Sequence, residues 1–168
     1  LVDLLKIKSI STIPDYADEC YQAAGWLKAF LDSFGMDAII YESEGHPIVF
    51  SDYQTSRPEA KTILFYGHYD VQPVDPVSLW DSDPFDPVLS SIDNEPCIIA
   101  RGASDDKGQL LTFLIALKYI KNEVGELPFS LKIILEGEEE CGSKTLPIFL
   151  EDYKDKLSAD IAYVCDTG

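Results

Sequence analysis

The sequence predicts an α/β fold, a layered sheet with helices packed against it. Three observations lead there. Segments with helical apolar spacing alternate along the chain with short β-rich runs. Turn-forming and acidic residues bound those short runs, as at strand ends. The 168 residues are 46% hydrophobic, enough for one domain with a sizeable core, and no repeat, low-complexity tract or linker divides them.

In chain order, residues 1–9 read as the remainder of an amphipathic helix. Residues 16–34 form the clearest helix: Ala23, Trp26, Leu27, Phe30, Leu31 and Phe34 share one face, and Gly35 supplies the stop. It reads as a packing helix without chemistry. Residues 37–41 and 48–51 read as two strands of a hairpin-like pair around a turn at 42–47. His46, beside Pro47 in that turn, reads as a surface histidine. After a polar loop at 56–61, residues 62–66 form a short buried strand that ends in Gly67-His68-Tyr69-Asp70.

Residues 73–87 are rich in Pro and Asp and read as a loop. Its Asp81, Asp83 and Asp86 lack the Gly and the closing Glu that a calcium loop requires. Cys97-Ile98-Ile99 is a short strand run that leads into the turn Ala100-Arg101-Gly102-Ala103-Ser104-Asp105-Asp106-Lys107-Gly108, and an apolar helix follows over 110–120. Residues 129–135 form another strand, followed by Glu136-Gly137-Glu138-Glu139-Glu140-Cys141-Gly142-Ser143. A short helix at 145–150 and a strand at 160–165, ending at Asp166, complete the pattern.

Thirty acidic against 13 basic residues give a net charge of −17. Nucleic acid and anionic membrane surfaces need a basic footprint, so neither is expected as a partner. The longest nearly apolar run, 110–117, is too short to span a bilayer. Cys20, Cys97, Cys141 and Cys165 have no CxxC spacing and no disulfide-framework pattern, which suits free thiols in a reducing cytoplasm.

Each acidic turn has an ordinary explanation. Ser104 or Asp105 could cap the helix that follows, and acid there complements its dipole. Three successive glutamates could form a solvated face, since they repel one another unless solvated or neutralised by cations. His68 and Asp70, however, stand two residues apart beyond a buried strand and can point to the same side of an extended backbone. That spacing lets a carboxylate hold the second ring nitrogen of a metal-bound imidazole. Four strand ends then deliver His68 with Asp70, Asp105, Glu139-Glu140 and Asp166 to one crevice. One imidazole with several carboxylates is ligand chemistry for Zn²⁺, or for a harder divalent ion such as Mn²⁺. Of two adjacent glutamates, one can ligate while the other stands free as a general base.

Gly67-His68-Tyr69-Asp70-Val71-Gln72-Pro73, Arg101-Gly102-Ala103-Ser104-Asp105-Asp106-Lys107-Gly108 and Glu139-Glu140-Cys141-Gly142-Ser143 closely resemble the motifs of M20 metallopeptidases, in that family's order. The clan holds dipeptidases and carnosinases, aminoacylases, acetylornithine deacetylases and succinyl-diaminopimelate desuccinylases, and the wording with Leu79-Trp80 is most similar to the dipeptidase branch. The resemblance implies a three-layer αβα sandwich with a mixed, mostly parallel sheet. It also implies two divalent ions, Zn²⁺ foremost with Mn²⁺ or Co²⁺ as substitutes, bridged by Asp105. His68 and Asp166 complete the first metal site and Glu140 belongs to the second. The implied catalytic pair is Glu139, the general base that carries the proton from water to the leaving amine, and Asp70, which partners His68. The Asp105–Asp106 peptide is expected to be cis.

The resemblance implies hydrolysis of the amide bond in dipeptides or short peptides. The alternatives are an N-acyl-amino-acid deacylase or desuccinylase with the same site, and a non-catalytic binding module on the same scaffold. A Rossmann reading fails, because no Gly-x-Gly-x-x-Gly follows any strand. The family's second metal site is completed by a distant histidine and its substrate contacts by a lid domain through which it often dimerises; this chain offers neither, and His46 lies in the wrong place. Residues 1–168 are therefore expected to be the N-terminal part of a catalytic domain, weak in metal binding and inactive alone.

Overall fold

The computed structural model describes residues 1–166. A single helical turn, α1 (Val2–Leu5), opens the chain, and α2 (Ala17–Asp32) follows a 3-10 turn at Pro14–Tyr16. Strands β1 (Ile39–Tyr41) and β2 (Ile48–Tyr53) form the antiparallel hairpin that the sequence predicts. Then come β3 (Thr62–His68), a hairpin of β4 (Val88–Ile92) and β5 (Glu95–Ile99), and the long helix α3 (Lys107–Val124). Strand β6 (Ser130–Glu136), a 3-10 turn at Glu139–Cys141, α4 (Leu146–Tyr153) and β7 (Ile161–Val164) complete the described residues.

Five strands form one mixed sheet in the order β1-β2-β6-β3-β7. The pairs β3·β6 and β3·β7 are parallel, whereas β2 runs antiparallel to both β1 and β6. Four of the five strands therefore point one way and β2 alone is reversed. The carboxyl ends of β3, β6 and β7 open along one edge, where sites form in α/β sheets.

β6 shows why the sheet sits in the middle. Its seven residues are all buried, as in a strand covered on both faces. Leu131, Ile133 and Leu135 enter the main core with Ala23, Leu27 and Leu31 of α2 and Leu110, Leu114 and Leu117 of α3. Ile134 faces the other way, into a smaller core with Ile48, Phe50 and Phe149 of α4. Two helices on one face and one on the other make the three-layer αβα sandwich.

The structure departs from the sequence reading in three places. Residues 97–99 are a strand, but β5 belongs to a separate two-stranded sheet with β4, so Asp105 does not leave a strand of the main sheet. β4 escapes the hydrophobic pattern because all five of its residues are exposed. The hairpin turns on Asp93 and Asn94, at φ 53° and 68°, the paired left-handed conformation of a tight hairpin turn. α3 also starts three residues earlier than the apolar run, at Lys107, and ends at Gly125 with φ 79°.

Phe65 on β3 is fully buried and stacks on Phe113 of α3, with ring centroids 3.8 Å apart. Phe65→Ala is expected to cost about 3–5 kcal/mol, read as a lowered midpoint of urea unfolding.

Candidate metal centre

Beyond β3 the backbone stays extended. Tyr69 N–H donates to Glu136 O at 2.9 Å, Val71 N–H to Ser9 O at 2.9 Å, and Ile10 pairs with Val71 in an isolated parallel bridge. Extended geometry puts His68 and Asp70 on one side of the chain, and both are fully buried. His68 Nδ1 lies 3.3 Å from Asp70 Oδ1, and Nε2 lies 3.1 Å from Asp105 Oδ1 and 3.9 Å from Asp166 Oδ1. The ring thus keeps one nitrogen against a buried carboxylate and turns the other to two open ones. Burial acts to lower the pKa of His68, but Asp70 foremost, with Asp106 and Asp105, outweighs it and pushes the pKa up to about 10. The metal-free ring therefore holds a proton at neutral pH, which a cation on Nε2 must displace.

Asp105 and Asp106 leave their turn in opposite directions. Asp105 faces His68 and solvent, whereas Asp106 is fully buried and its Oδ2 accepts the backbone N–H of His68 at 3.1 Å. The peptide between them is cis. Neither carboxylate caps α3: Asp106 stands at the N-cap with no side-chain cap bond, so the helix-capping reading does not describe this turn. Burial pushes the pKa of Asp106 up to about 7, against the pull of the His68 N–H and imidazole. Lys107 is fully buried too, its Nζ donating to Leu4 O at 3.2 Å and Ile7 O at 2.7 Å, and burial lowers its pKa to about 7. Only glycine fits next: a Cβ on Gly108 would lie 2.0 Å from the carbonyl oxygen of Ala103.

The three glutamates after β6 divide their work. Glu138 is buried, and its carboxylate accepts the N–H groups of His46 at 3.1 Å and Thr145 at 2.7 Å. Glu139 and Glu140 are half-buried, and their backbone N–H groups donate to Asp70 Oδ1 at 3.2 Å and Oδ2 at 3.1 Å. Burial raises the pKa of the Glu139 carboxyl; Glu140, Asp166 and Asp70 add to the rise, while His68 opposes it. The Glu140 carboxylate accepts from Gln72 Nε2 at 2.8 Å.

Among the described residues, His68, Asp105 and Asp166 each offer one ligand atom within 4.8 Å of the others. Asp70 stands behind this group and Glu139 is electrostatically linked to it, whereas Glu140 lies outside it. One imidazole nitrogen and two carboxylate oxygens suit a divalent cation such as Zn²⁺. The crevice is built by three strand ends and one loop, not by four strand ends. His46, read from sequence as a surface residue, is half-buried with Nε2 3.0 Å from Ser11 O. The sequence reading gave no role to Ser11, Gln72 or Lys107, and none to Asp106 beyond the peptide it shares with Asp105; the last three stand inside the motifs, whereas Ser11 has no local signal.

An αβα sandwich that brings a histidine and carboxylates together at its strand ends offers a site for a divalent cation. The model of peptidase family M20/M25/M40 matches residues 64–168, more than half of the chain. The chain belongs to that family. Among curated relatives, a cysteinylglycine-S-conjugate dipeptidase of Corynebacterium striatum is 30% identical over the whole chain and 36% of its own length. A Beta-Ala-His dipeptidase of Homo sapiens is 36% identical over 70% of the chain and 22% of its own length. An M20 family metallo-carboxypeptidase from Sulfolobus solfataricus superposes with a TM-score of 0.85 at 38% identity, covering 99% of this chain and 36% of that one. The chain thus spans about a third or less of these relatives. Among the described residues, no helix is long and apolar enough to cross a membrane.

Asp70→Asn keeps the volume but loses an acceptor, and it is expected to weaken zinc binding by about 10- to 100-fold, the usual effect of disturbing the partner of a ligating histidine. Competition with a chromophoric chelator measures it, with far-UV circular dichroism as the check on folding.

Proposed function

We propose that the protein carrying this chain hydrolyses the amide bond of dipeptides or short peptides, with two divalent cations at the crevice and Glu139 as general base. The observation that carries this reading is the convergence of His68 Nε2, Asp105 and Asp166, with Asp70 behind the imidazole, in a member of the M20/M25/M40 family. His68, Asp105 and Asp166 would hold one cation, and Glu140 would help to hold the other. Such cations polarise the scissile carbonyl and lower the pKa of the attacking water.

The chain's own residues supply the rest. Asp70 holds Nδ1 of His68, through its backbone carbonyl at 3.2 Å and its Oδ1 at 3.3 Å, and so turns Nε2 toward Asp105 and Asp166. Glu139 takes a proton from water as its oxygen bonds to the carbonyl carbon, and returns it to the amine as the C–N bond breaks. The products are a free carboxylate and a free amine. A raised carboxyl pKa suits this exchange, because the base must both accept and release the proton near neutral pH. Dipeptides are preferred over N-acyl amino acids because the relatives at 30% and 36% identity are named dipeptidases.

The test uses the intact gene product loaded with Zn²⁺ or Mn²⁺ on a panel of dipeptides and N-acyl amino acids. Dipeptide turnover is expected, and Glu139→Gln is expected to keep its metal while losing about 10²- to 10⁴-fold in kcat. A Glu139→Gln variant as fast as the parent removes Glu139 as the base. A metal-loaded parent that cleaves nothing on the panel overturns the peptidase reading.

A further inference from the structure

We infer that Ser11 is a positioning residue for this centre: its buried hydroxyl fixes the Asp70 carboxylate, and through it both the His68 ring and the Glu139–Glu140 turn. The inference rests on the metal reading above. Asp70 is fully buried and takes donors on both oxygens. Oδ1 faces His68 Nδ1 at 3.3 Å and Glu139 N–H at 3.2 Å. Oδ2 accepts Glu140 N–H at 3.1 Å and Ser11 O–H at 2.5 Å. The shortest bond on this carboxylate comes from a residue 59 positions away. Charge-assisted O–H···O⁻ bonds of this length are among the strong ones. Without it, Oδ2 keeps one donor, and the carboxylate is free to swing about its Cβ–Cγ bond and carry the imidazole out of line.

Ser11 is itself held where this task requires. Ser9 Oγ donates to Tyr69 O at 2.7 Å, and the Ile10–Val71 bridge lays the segment beside the strand extension that carries Asp70. His46 Nε2 donates to Ser11 O at 3.0 Å, while its backbone N–H holds Glu138. On the far side, Lys107 ties Leu4 and Ile7 to the start of α3, next to Asp105 and Asp106. The segment that runs from α1 to Ser11 thus lies against the strand extension that carries His68 and Asp70 and against the start of α3, yet offers no ligand itself.

The segment contains its own control. Ser9 and Ser11 are both buried and both donate across the same seam, but Ser9 bonds a backbone carbonyl and Ser11 the Asp70 carboxylate. Zinc affinity of the intact gene product, measured by chelator competition, separates positioning from mere packing. Ser11→Ala and Ser11→Val are expected to weaken zinc binding about tenfold or more, whereas Ser11→Thr, which has the shape of Val with a hydroxyl, stays within about threefold and Ser9→Ala within about twofold of the parent. Parent-like affinity in Ser11→Val overturns the inference, as does an equal loss in Ser9→Ala. If the parent itself binds no zinc, the metal reading falls and takes the role of Ser11 with it. If the parent binds zinc and all variants match it, the role of Ser11 alone falls.

Discussion

A carboxylate taken wholly out of water must be met by donors on both oxygens, or it takes up a proton or forces its way back to solvent. Asp70 meets that demand with four donors from three stretches of chain: the Ser11 hydroxyl, the His68 ring and the N–H groups of Glu139 and Glu140. Satisfying one buried charge therefore fixes the relative positions of the N-terminal segment, the β3 extension and the turn after β6. Much of the site's geometry follows from this constraint. The ring cannot turn Nε2 away from Asp105 and Asp166 without giving up Asp70, and the turn cannot drift without stranding a negative charge in the core.

The second constraint is repulsion. Asp105 and Asp166 converge on His68, with Asp106 buried beside them and Glu139 close enough to feel Asp166. No lysine or arginine forms an ion pair with any of these acids among the described residues. Lys107, the nearest cation in sequence, turns to two backbone carbonyls instead. In the metal-free state the imidazolium of His68 is the positive charge of the cluster; burial foremost, and the neighbouring carboxylates after it, raise the pKa values of Asp106 and Glu139, while Asp70 with Asp106 and Asp105 raises that of His68. A divalent cation held by these residues would offset the same repulsion without a proton.

Legibility in the sequence tracks how local the cause is. The His68–Asp70 spacing could be read because extended backbone alternates its side chains whatever else surrounds it. α2 could be read because burial of one face imposes a helical period on it, and β3 and β6 because they are short apolar runs closed by turn and acidic residues. β4 could not: every residue of it is exposed, and its turn uses Asp93-Asn94 where Asn-Gly would have been conspicuous. The assignment of Asp105 to a sheet strand failed for the same reason, since a short apolar run does not say which sheet it joins. Asp106 is drawn inward by the His68 N–H while Asp105 is not, a difference that the composition of an acidic pair does not convey. Ser11 is the limiting case, a common residue whose importance lies entirely in a contact 59 positions away.

The unequal division of the three glutamates ties these points together. Glu138, Glu139 and Glu140 are chemically alike, and a charge run of this kind is ordinarily a solvated face. Here the turn is pinned at both ends. Glu138 Oε1 and Oε2 are drawn inward by the N–H groups of His46 and Thr145, and the next two N–H groups are drawn to Asp70. With the backbone held by its own donors, the Glu139 and Glu140 side chains have no structural bond to make within the turn. Glu139 is left half-buried beside the His68 cluster, and Glu140 is met by Gln72. The division is therefore made by backbone hydrogen bonding before any cation is considered: Glu138 builds the turn, Glu139 stays beside the His68 cluster and Glu140 turns to Gln72.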